Sequence, residues 1–375
     1  MENSKLLELF HSLSLEEKIG QLVQLSSDFF SQNVAVKTGP MSSIGIDESK
    51  ISYVGSILNA SNVKEIKKIQ SEYLKKSKHK IPLLFMSDII NGYKTVFPIP
   101  LALGCSFDFQ LVKETAQIAA KEAAVSGIHV TFSPMVDMVR DARWGRVMET
   151  YSEDTYLNNH YASVMVEGYQ GTNDYHNNIA SCVKHFAGYG GVLAGRDYNT
   201  VELCERTLRE DYLHAYQSAI KAGCKMVMTS FNTIDRIPVT ANKRMLRDIL
   251  RDEWGFEGVT ISDHSSIKEL INHGVAKDES EAAKKAIEAG CDIDMMTACY
   301  ANHLSKLVDE GKLDIKYIDE AALRVLKLKN DLGLFENPYR GANEDDAKKF
   351  ILAPDFRKKA REAVSKSCVL LKNDN

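Results

Sequence analysis

Gly258-Val259-Thr260-Ile261-Ser262-Asp263-His264 is the stretch that decides the fold. An apolar, β-branched run ends abruptly on a serine and a carboxylate, and the same pattern recurs along the chain. Runs expected as strands fall at 53–58, 82–86, 129–133, 179–184, 225–229, 258–262 and 292–296. Amphipathic stretches expected as helices lie between them, at 63–76, 111–126, 154–170, 204–222, 244–253 and 279–289. Most strand runs are apolar throughout rather than alternating, as in parallel strands covered on both faces. Some seven β-then-α units in succession suit a (β/α)8 TIM-like barrel better than a doubly wound sheet, although periodicity alone does not separate the two.

The strand ends carry the chemistry. Asp88 follows the second run, Ser133-Pro134-Met135 closes the third and Lys184-His185 closes the fourth. Met228 lies in the fifth, Asp263 follows the sixth and Asp294 sits in the seventh. Any one of these could simply begin a loop. As a set, polar groups at C-terminal strand ends converge on one rim of a barrel, where the catalytic groups of that fold belong.

The remainder of the chain narrows the class. Its 375 residues are 44% hydrophobic and 26% charged, with a formal charge of −4. That balance points to neither nucleic acid nor an anionic membrane as a partner. The opening Met1-Glu2-Asn3-Ser4-Lys5-Leu6-Leu7-Glu8 has no basic region followed by an apolar core, and no later run approaches the ~20 apolar residues of a membrane span. Seven scattered cysteines, several inside apolar runs and none in a Cys-x-x-Cys pair, read as reduced core residues of a cytoplasmic protein. Arg340-Gly341-Ala342-Asn343-Glu344-Asp345-Asp346 reads as a linker after a barrel spanning 1–339. A charged amphipathic helix over 356–367 and the apolar Cys368-Val369-Leu370-Leu371 then resemble the entrance to a further domain, or a segment folding back on the barrel.

Three constellations bear on function. A carboxylate directly after a strand, as at Asp263, is rigidly held and can attack an anomeric carbon; as an N-cap for a helix starting near Ser265 it is equally well explained. Lys184-His185-Phe186-Ala187-Gly188-Tyr189-Gly190 sets a cation beside an imidazole, able to donate several hydrogen bonds to vicinal hydroxyls. The glycines that follow argue against a buried structural histidine, and no nearby spacing suits a metal. Arg140-Asp141-Ala142-Arg143-Trp144-Gly145-Arg146-Val147-Met148-Glu149 combines guanidinium forks with an indole plate suited to a sugar face. Glu149 is expected to hold Arg146 or Lys184 by charge pairing.

These residues closely resemble glycoside hydrolase family 3, the β-glucosidase family, from Leu13-Ser14-Leu15-Glu16-Glu17-Lys18-Ile19-Gly20-Gln21 onward. The likeness includes Asp88-Ile89-Ile90-Asn91-Gly92-Tyr93-Lys94, the arginine block, the Lys-His-Phe-Ala block with Gly195-Arg196-Asp197-Tyr198-Asn199, and the Ser-Asp site. The stretches 97–107 and 332–341 look especially like a bacterial branch acting on β-1,2-linked gluco-oligosaccharides. The resemblance implies Asp263 as a nucleophile that forms a covalent glucosyl-enzyme. Asp88, Arg146, Lys184 and His185 match the clamp on a non-reducing glucose, Met228 its wall, and Glu149 a support behind it. A neutral sugar so held requires no cofactor.

The departures matter too. His264 stands where most relatives have a Trp facing the next sugar, Phe231 where a Tyr is usual, and Asn91 where a His is usual. A retaining glycosidase also needs a second carboxyl ~5 Å from the nucleophile. Most of the family draws that Glu from a following α/β sandwich domain, entered through a segment that Ala363-Val364-Ser365-Lys366-Ser367-Cys368-Val369-Leu370-Leu371-Lys372-Asn373 resembles. The loop at 190–199, where another branch keeps an Asp-His pair, has Asp197 without the His. Two readings follow. One is an exo-β-glucosidase barrel, inactive or very weak alone, whose acid/base sits on another domain or chain; the other is a non-catalytic sugar-binding module. A barrel for phosphorylated metabolites lacks the Gly-rich loop it would need.

Overall fold

The computed structural model describes residues 1–30, 44–60, 62–171 and 177–374. Ten strands appear in chain order: β1 (Val23–Ser26), β2 (Ser56–Leu58), β3 (Leu84–Ser87), β4 (Val130–Thr131), β5 (Ala180–Phe186), β6 (Met226–Thr229), β7 (Thr233–Ile234), β8 (Ile237–Pro238), β9 (Val259–Ile261) and β10 (Asp294–Met295). Eight of them form one parallel sheet in the order β10-β1-β2-β3-β4-β5-β6-β9, and β7 and β8 pair as a small antiparallel hairpin. A parallel bridge between Ile261 and Ile293, with the Ser262 N–H donating to the Ile293 carbonyl at 2.9 Å, joins the two ends. The expected (β/α)8 barrel is therefore what the chain forms.

Successive strand residues point to opposite faces, and the core divides accordingly. Leu58, Leu84, Met86, Val130, Ala180 and Cys182 join one apolar cluster that continues through β6 to β10. The intervening Ile57, Leu83, Phe85 and Ile179 join a second, packed against Ile66, Val112, Ala116 and Tyr161 of the surrounding helices. Helix starts follow their side chains: Asp108, Asp154 and Asp278 each accept the backbone N–H three residues on, at 2.8–2.9 Å.

Several expectations change. β1 was not anticipated, because Val23-Gln24-Leu25-Ser26 is four residues long and abuts the helix Leu15–Gln21. The helices Cys299–Asp309 and Lys316–Asp331 were likewise not foreseen. The single helix expected over 204–222 is broken into Glu205–Thr207, a wider turn at Leu208–Tyr212 and His214–Lys221. That extra residue lets Leu208, Tyr212, Leu213 and Tyr216 all face inward. Four cysteines are buried, whereas Cys105, Cys204 and Cys368 are exposed, and all seven are free.

The stretch read as a linker is packed. Arg340 and Ala342 are buried, and the helix Glu344–Phe350 lays Ala347 against Val63 and Val125. The helix Pro354–Lys366 is tied down by Lys366 Nζ on Asp108 Oδ2 at 2.8 Å. Beyond it Val369, Leu370 and Leu371 are exposed and form no strand. No described helix is long and apolar enough to cross a membrane.

Candidate active site

The site lies at the C-terminal ends of β3, β5, β6 and β9. In β5 the pairing register with β6 shifts between Val183 and Phe186. A regular strand would send Lys184 and His185 to opposite faces; with the shift, both reach the same cluster. Lys184 Nζ donates to Asp88 Oδ1 at 2.6 Å, the lysine buried and Asp88 half exposed. His185 turns Nε2 toward Asp263 Oδ2 at 3.4 Å and Nδ1 toward Asp137 Oδ2 at 2.8 Å.

Asp137 is the residue that sequence reasoning missed. It accepts from the His185 backbone N–H at 3.1 Å and from the Tyr216 hydroxyl at 2.7 Å, while that hydroxyl also reaches the His185 carbonyl at 2.6 Å. An acid inside the apolar Met135-Val136-Asp137-Met138-Val139, just after a strand, was the available signal. His185 is buried after all, in contrast to the expectation from its glycines, because it must lie between two carboxyls rather than in solvent. Burial, with the charges of Arg146 and Lys184, holds the imidazole well below its ordinary pKa. A neutral ring carries one N–H, so only one of its two carboxyl neighbours can receive a proton from it, and burial pushes the Asp137 carboxyl up to about 7 as well.

Asp263 is packed at the floor of this cluster. Its Oδ1 accepts the His264 backbone N–H at 2.6 Å, whereas Oδ2 faces His185 Nε2 at 3.4 Å and has no hydrogen-bond partner among the described residues. Burial pushes its carboxyl up to about 7, with Lys184, the His264 N–H and Arg146 pulling the other way. Asp263 caps no helix through its side chain: the helix Ser266–Asn272 has no side-chain cap. Arg146 forks onto Glu149 at 2.8 and 2.9 Å, as charge pairing suggested, and lies over the Tyr189 ring at 5.7 Å.

Other expected positions resolve differently. Trp144 is no exposed sugar plate; it is buried, meets Tyr189 edge-on at 5.0 Å and donates its indole N–H to Asp197 at 3.1 Å. An indole has one polar atom to satisfy when buried, and Asp197 satisfies it. Asp294 turns away to accept from Thr297 Oγ1 and the Tyr300 N–H, fastening the last strand to its helix. Asn91 holds its own loop through Phe97. Met228 and Phe231 are buried at the end of β6, and His264 is exposed at the rim. Gly190 is required sterically, since a Cβ there would lie 2.1 Å from the Met138 carbonyl oxygen. Among the described residues no group of three His, Cys, Asp or Glu side chains could hold a metal ion.

The family model described as the glycosyl hydrolase family 3 N terminal domain matches residues 14–328. The chain belongs to this family. Family 3 relatives include a periplasmic β-glucosidase of Salmonella typhimurium, 39% identical over 98% of this chain and 47% of its own length. A β-xylosidase of Formosa agariphila is 34% identical over 76% of this chain and 41% of its own. A solved structure of a mutant β-glucosidase from Listeria innocua, in complex with laminaribiose, superposes with a TM-score of 0.96. It is 50% identical, with 100% of this chain and 52% of that one covered. The chain thus spans about half the length of the family 3 relatives it matches.

Proposed function

We propose that this chain is the glucose-binding, nucleophile-bearing part of a retaining exo-β-glucosidase acting on β-linked gluco-oligosaccharides. The observation that carries the reading is the arrangement around Asp263: a buried carboxyl on a rigid strand end, in contact with His185 and flanked by Lys184 with Asp88 and Arg146 with Glu149. Asp88 accepts and Lys184, Arg146 and His185 offer polar groups for the hydroxyls of one sugar, which orients its anomeric carbon over Asp263. Attack by the carboxylate forms an ester to that carbon as the bond to the leaving oxygen breaks. The leaving oxygen takes the electron pair and needs a proton, and water later cleaves the ester. The Listeria innocua protein has also been solved with glucose, which supports a glucose ligand here.

Among the described residues, no carboxyl beside Asp263 is left uncommitted to serve as the proton donor. Asp88, Asp137 and Glu149, the carboxyls around Asp263, are each engaged by donors of the barrel itself. The acid/base is accordingly assigned to a carboxyl outside this chain, on a further domain or a partner. The same observation favours, as a second reading, a sugar-binding module without turnover.

An activated 2-deoxy-2-fluoro-β-glucoside separates them. The expected result is one covalent adduct per chain by intact mass, mapped to Asp263 and absent in Asp263→Ala. Natural disaccharides should be cleaved slowly, since a lost proton donor costs about 10²–10⁴-fold. Glucose binding with no adduct would support the second reading. Fast sophorose hydrolysis that survives Asp263→Ala would sink both.

A further inference from the structure

The segment from Asp88 to Ile99 joins β3 to the helix Pro100–Gly104 without a strand or helix of its own. β3 ends at Ser87, one residue before Asp88, so the direction in which Asp88 leaves the sheet is set by this loop. Part of the loop's shape is internal. The Phe97 N–H donates to the Asn91 carbonyl at 2.8 Å. Gly92 has a φ of +108°, with the Thr95 carbonyl oxygen 2.0 Å from where a Cβ would lie. The rest comes from two neighbouring helices. The Tyr169 hydroxyl donates to the Ile89 carbonyl at 2.6 Å, directly after Asp88. Further along the loop the partner is Glu122, on the helix Phe109–Ser126.

Glu122 is fully buried, in a helix whose other buried positions include Ala116, Ala119, Ala120 and Ala123. Its Oε2 accepts the Lys94 and Thr95 N–H groups at 2.9 and 2.8 Å. Its Oε1 accepts the Thr95 hydroxyl at 2.7 Å and the Leu352 N–H at 2.8 Å. Two donors on each oxygen are what make a carboxylate tolerable in the interior. They also call for glutamate rather than glutamine, since an amide NH2 would face two donors whichever way it turned. Three of the four donors belong to the loop that carries Asp88. The fourth, Leu352, lies in the turn between the helices Glu344–Phe350 and Pro354–Lys366, at a φ of +56° and with its side chain exposed. It is the Leu352 backbone, not its side chain, that is anchored.

We propose that Glu122 is a positioning residue for the glucose clamp: by holding Lys94 and Thr95 it fixes the loop that carries Asp88, and so the geometry with which Asp88 meets Lys184 and the sugar. This rests on the proposed glucosidase reading. A loop without ladder or helix bonds opens locally at little cost unless side chains hold it. A clamp group displaced by about 1 Å can slow a positioned reaction about 10²-fold. Because Leu352 shares Oε1 with the Thr95 hydroxyl, the same carboxylate fastens the turn that follows the barrel, and the two segments are set together. Glu122 itself offers a ligand nothing, having no exposed surface and both oxygens filled.

The test is the second-order rate at which an activated 2-deoxy-2-fluoro-β-glucoside labels Asp263, followed by intact mass. It is measured in the parent chain, Thr95→Val, Glu122→Gln, Asp88→Asn and the two double variants that add Asp88→Asn. Thr95→Val, which loses one donor to Glu122, should label about threefold to tenfold more slowly. Glu122→Gln should label about tenfold to hundredfold more slowly. On the Asp88→Asn background neither change should slow labelling further by more than about twofold, since both act through Asp88. Losses that recur in full on that background would make Glu122 a structural residue only. Parental rates in Thr95→Val and Glu122→Gln would remove the role, and Thr95→Val decides the matter if Glu122→Gln does not fold. A parent chain that takes no label fails the glucosidase reading itself, and the positioning role falls with it.

Discussion

Two buried aspartates on adjacent strands of this barrel live in opposite circumstances. Asp292 precedes β10 and receives Arg324 at 2.9 and 3.1 Å, Arg251 at 2.8 Å and the Thr260 N–H at 2.9 Å. Burial alone would raise its pKa, yet Arg324 and Arg251 hold it below the ordinary carboxylate value. Asp263 follows β9 at the other end, where the nearest cations are committed to Asp88 and Glu149, and its carboxyl rises to about 7. One carboxylate is saturated by the protein, which stabilises the joint between strand and helix. The other is left short of donors, which costs stability and leaves its oxygen available to react.

Removing the saturated acid should have the largest effect. Asp292→Ala leaves Arg251 and Arg324 buried without their counter-charge, and denaturant unfolding should show a loss of about 3–5 kcal/mol. An unchanged midpoint would show that the two aspartates do not differ as described. Asp263→Asn should shift stability the other way. The folded Asp263 carboxyl keeps its proton up to about 7, whereas an unfolded one releases it near 4, so its contribution falls as pH rises between those values. The asparagine variant should therefore gain most over wild type at pH 8 and little at pH 4, by at most about 4 kcal/mol. For the same reason, the rate of covalent labelling at Asp263 should climb through pH 7.

Smaller effects refine the contrast. Tyr216→Phe removes the single O–H that Asp137 and the His185 carbonyl share. Unfolding should register about 1–3 kcal/mol, and labelling should slow because His185 loses part of its orientation; labelling at the parental rate would count against that role. Glu149→Gln removes the counter-charge that aligns Arg146. A partly exposed pair is worth about 1 kcal/mol, so glucose affinity should fall roughly fivefold, measured by calorimetry.

Much of the fold was legible because it depends on local periodicity. Seven of the eight barrel strands announce themselves as apolar runs, and the helix Glu279–Ala289 falls where its pattern places it. β1 escaped because a short strand containing a glutamine carries no periodic signal; it is a strand through its pairing with β2 and β10. At the site, Asp88, Lys184, His185 and Asp263 could be singled out from their strand-end positions. The role of Trp144 could not, since an indole beside arginines looks the same in sequence whether it faces a sugar or Asp197.

Local sequence already carried the succession of strands and helices, the family likeness and the residue types gathered at the rim, because hydrophobic period and strand-end chemistry are properties of neighbouring residues. Tertiary structure alone decided that His185 lies between Asp137 and Asp263, that Asp137 takes part at all, and that Asp263 rather than Asp292 is left poorly solvated. Those outcomes depend on which donors arrive from distant strands and on how much water they displace. A carboxylate's pKa is set by that sum, and no local stretch of sequence contains it.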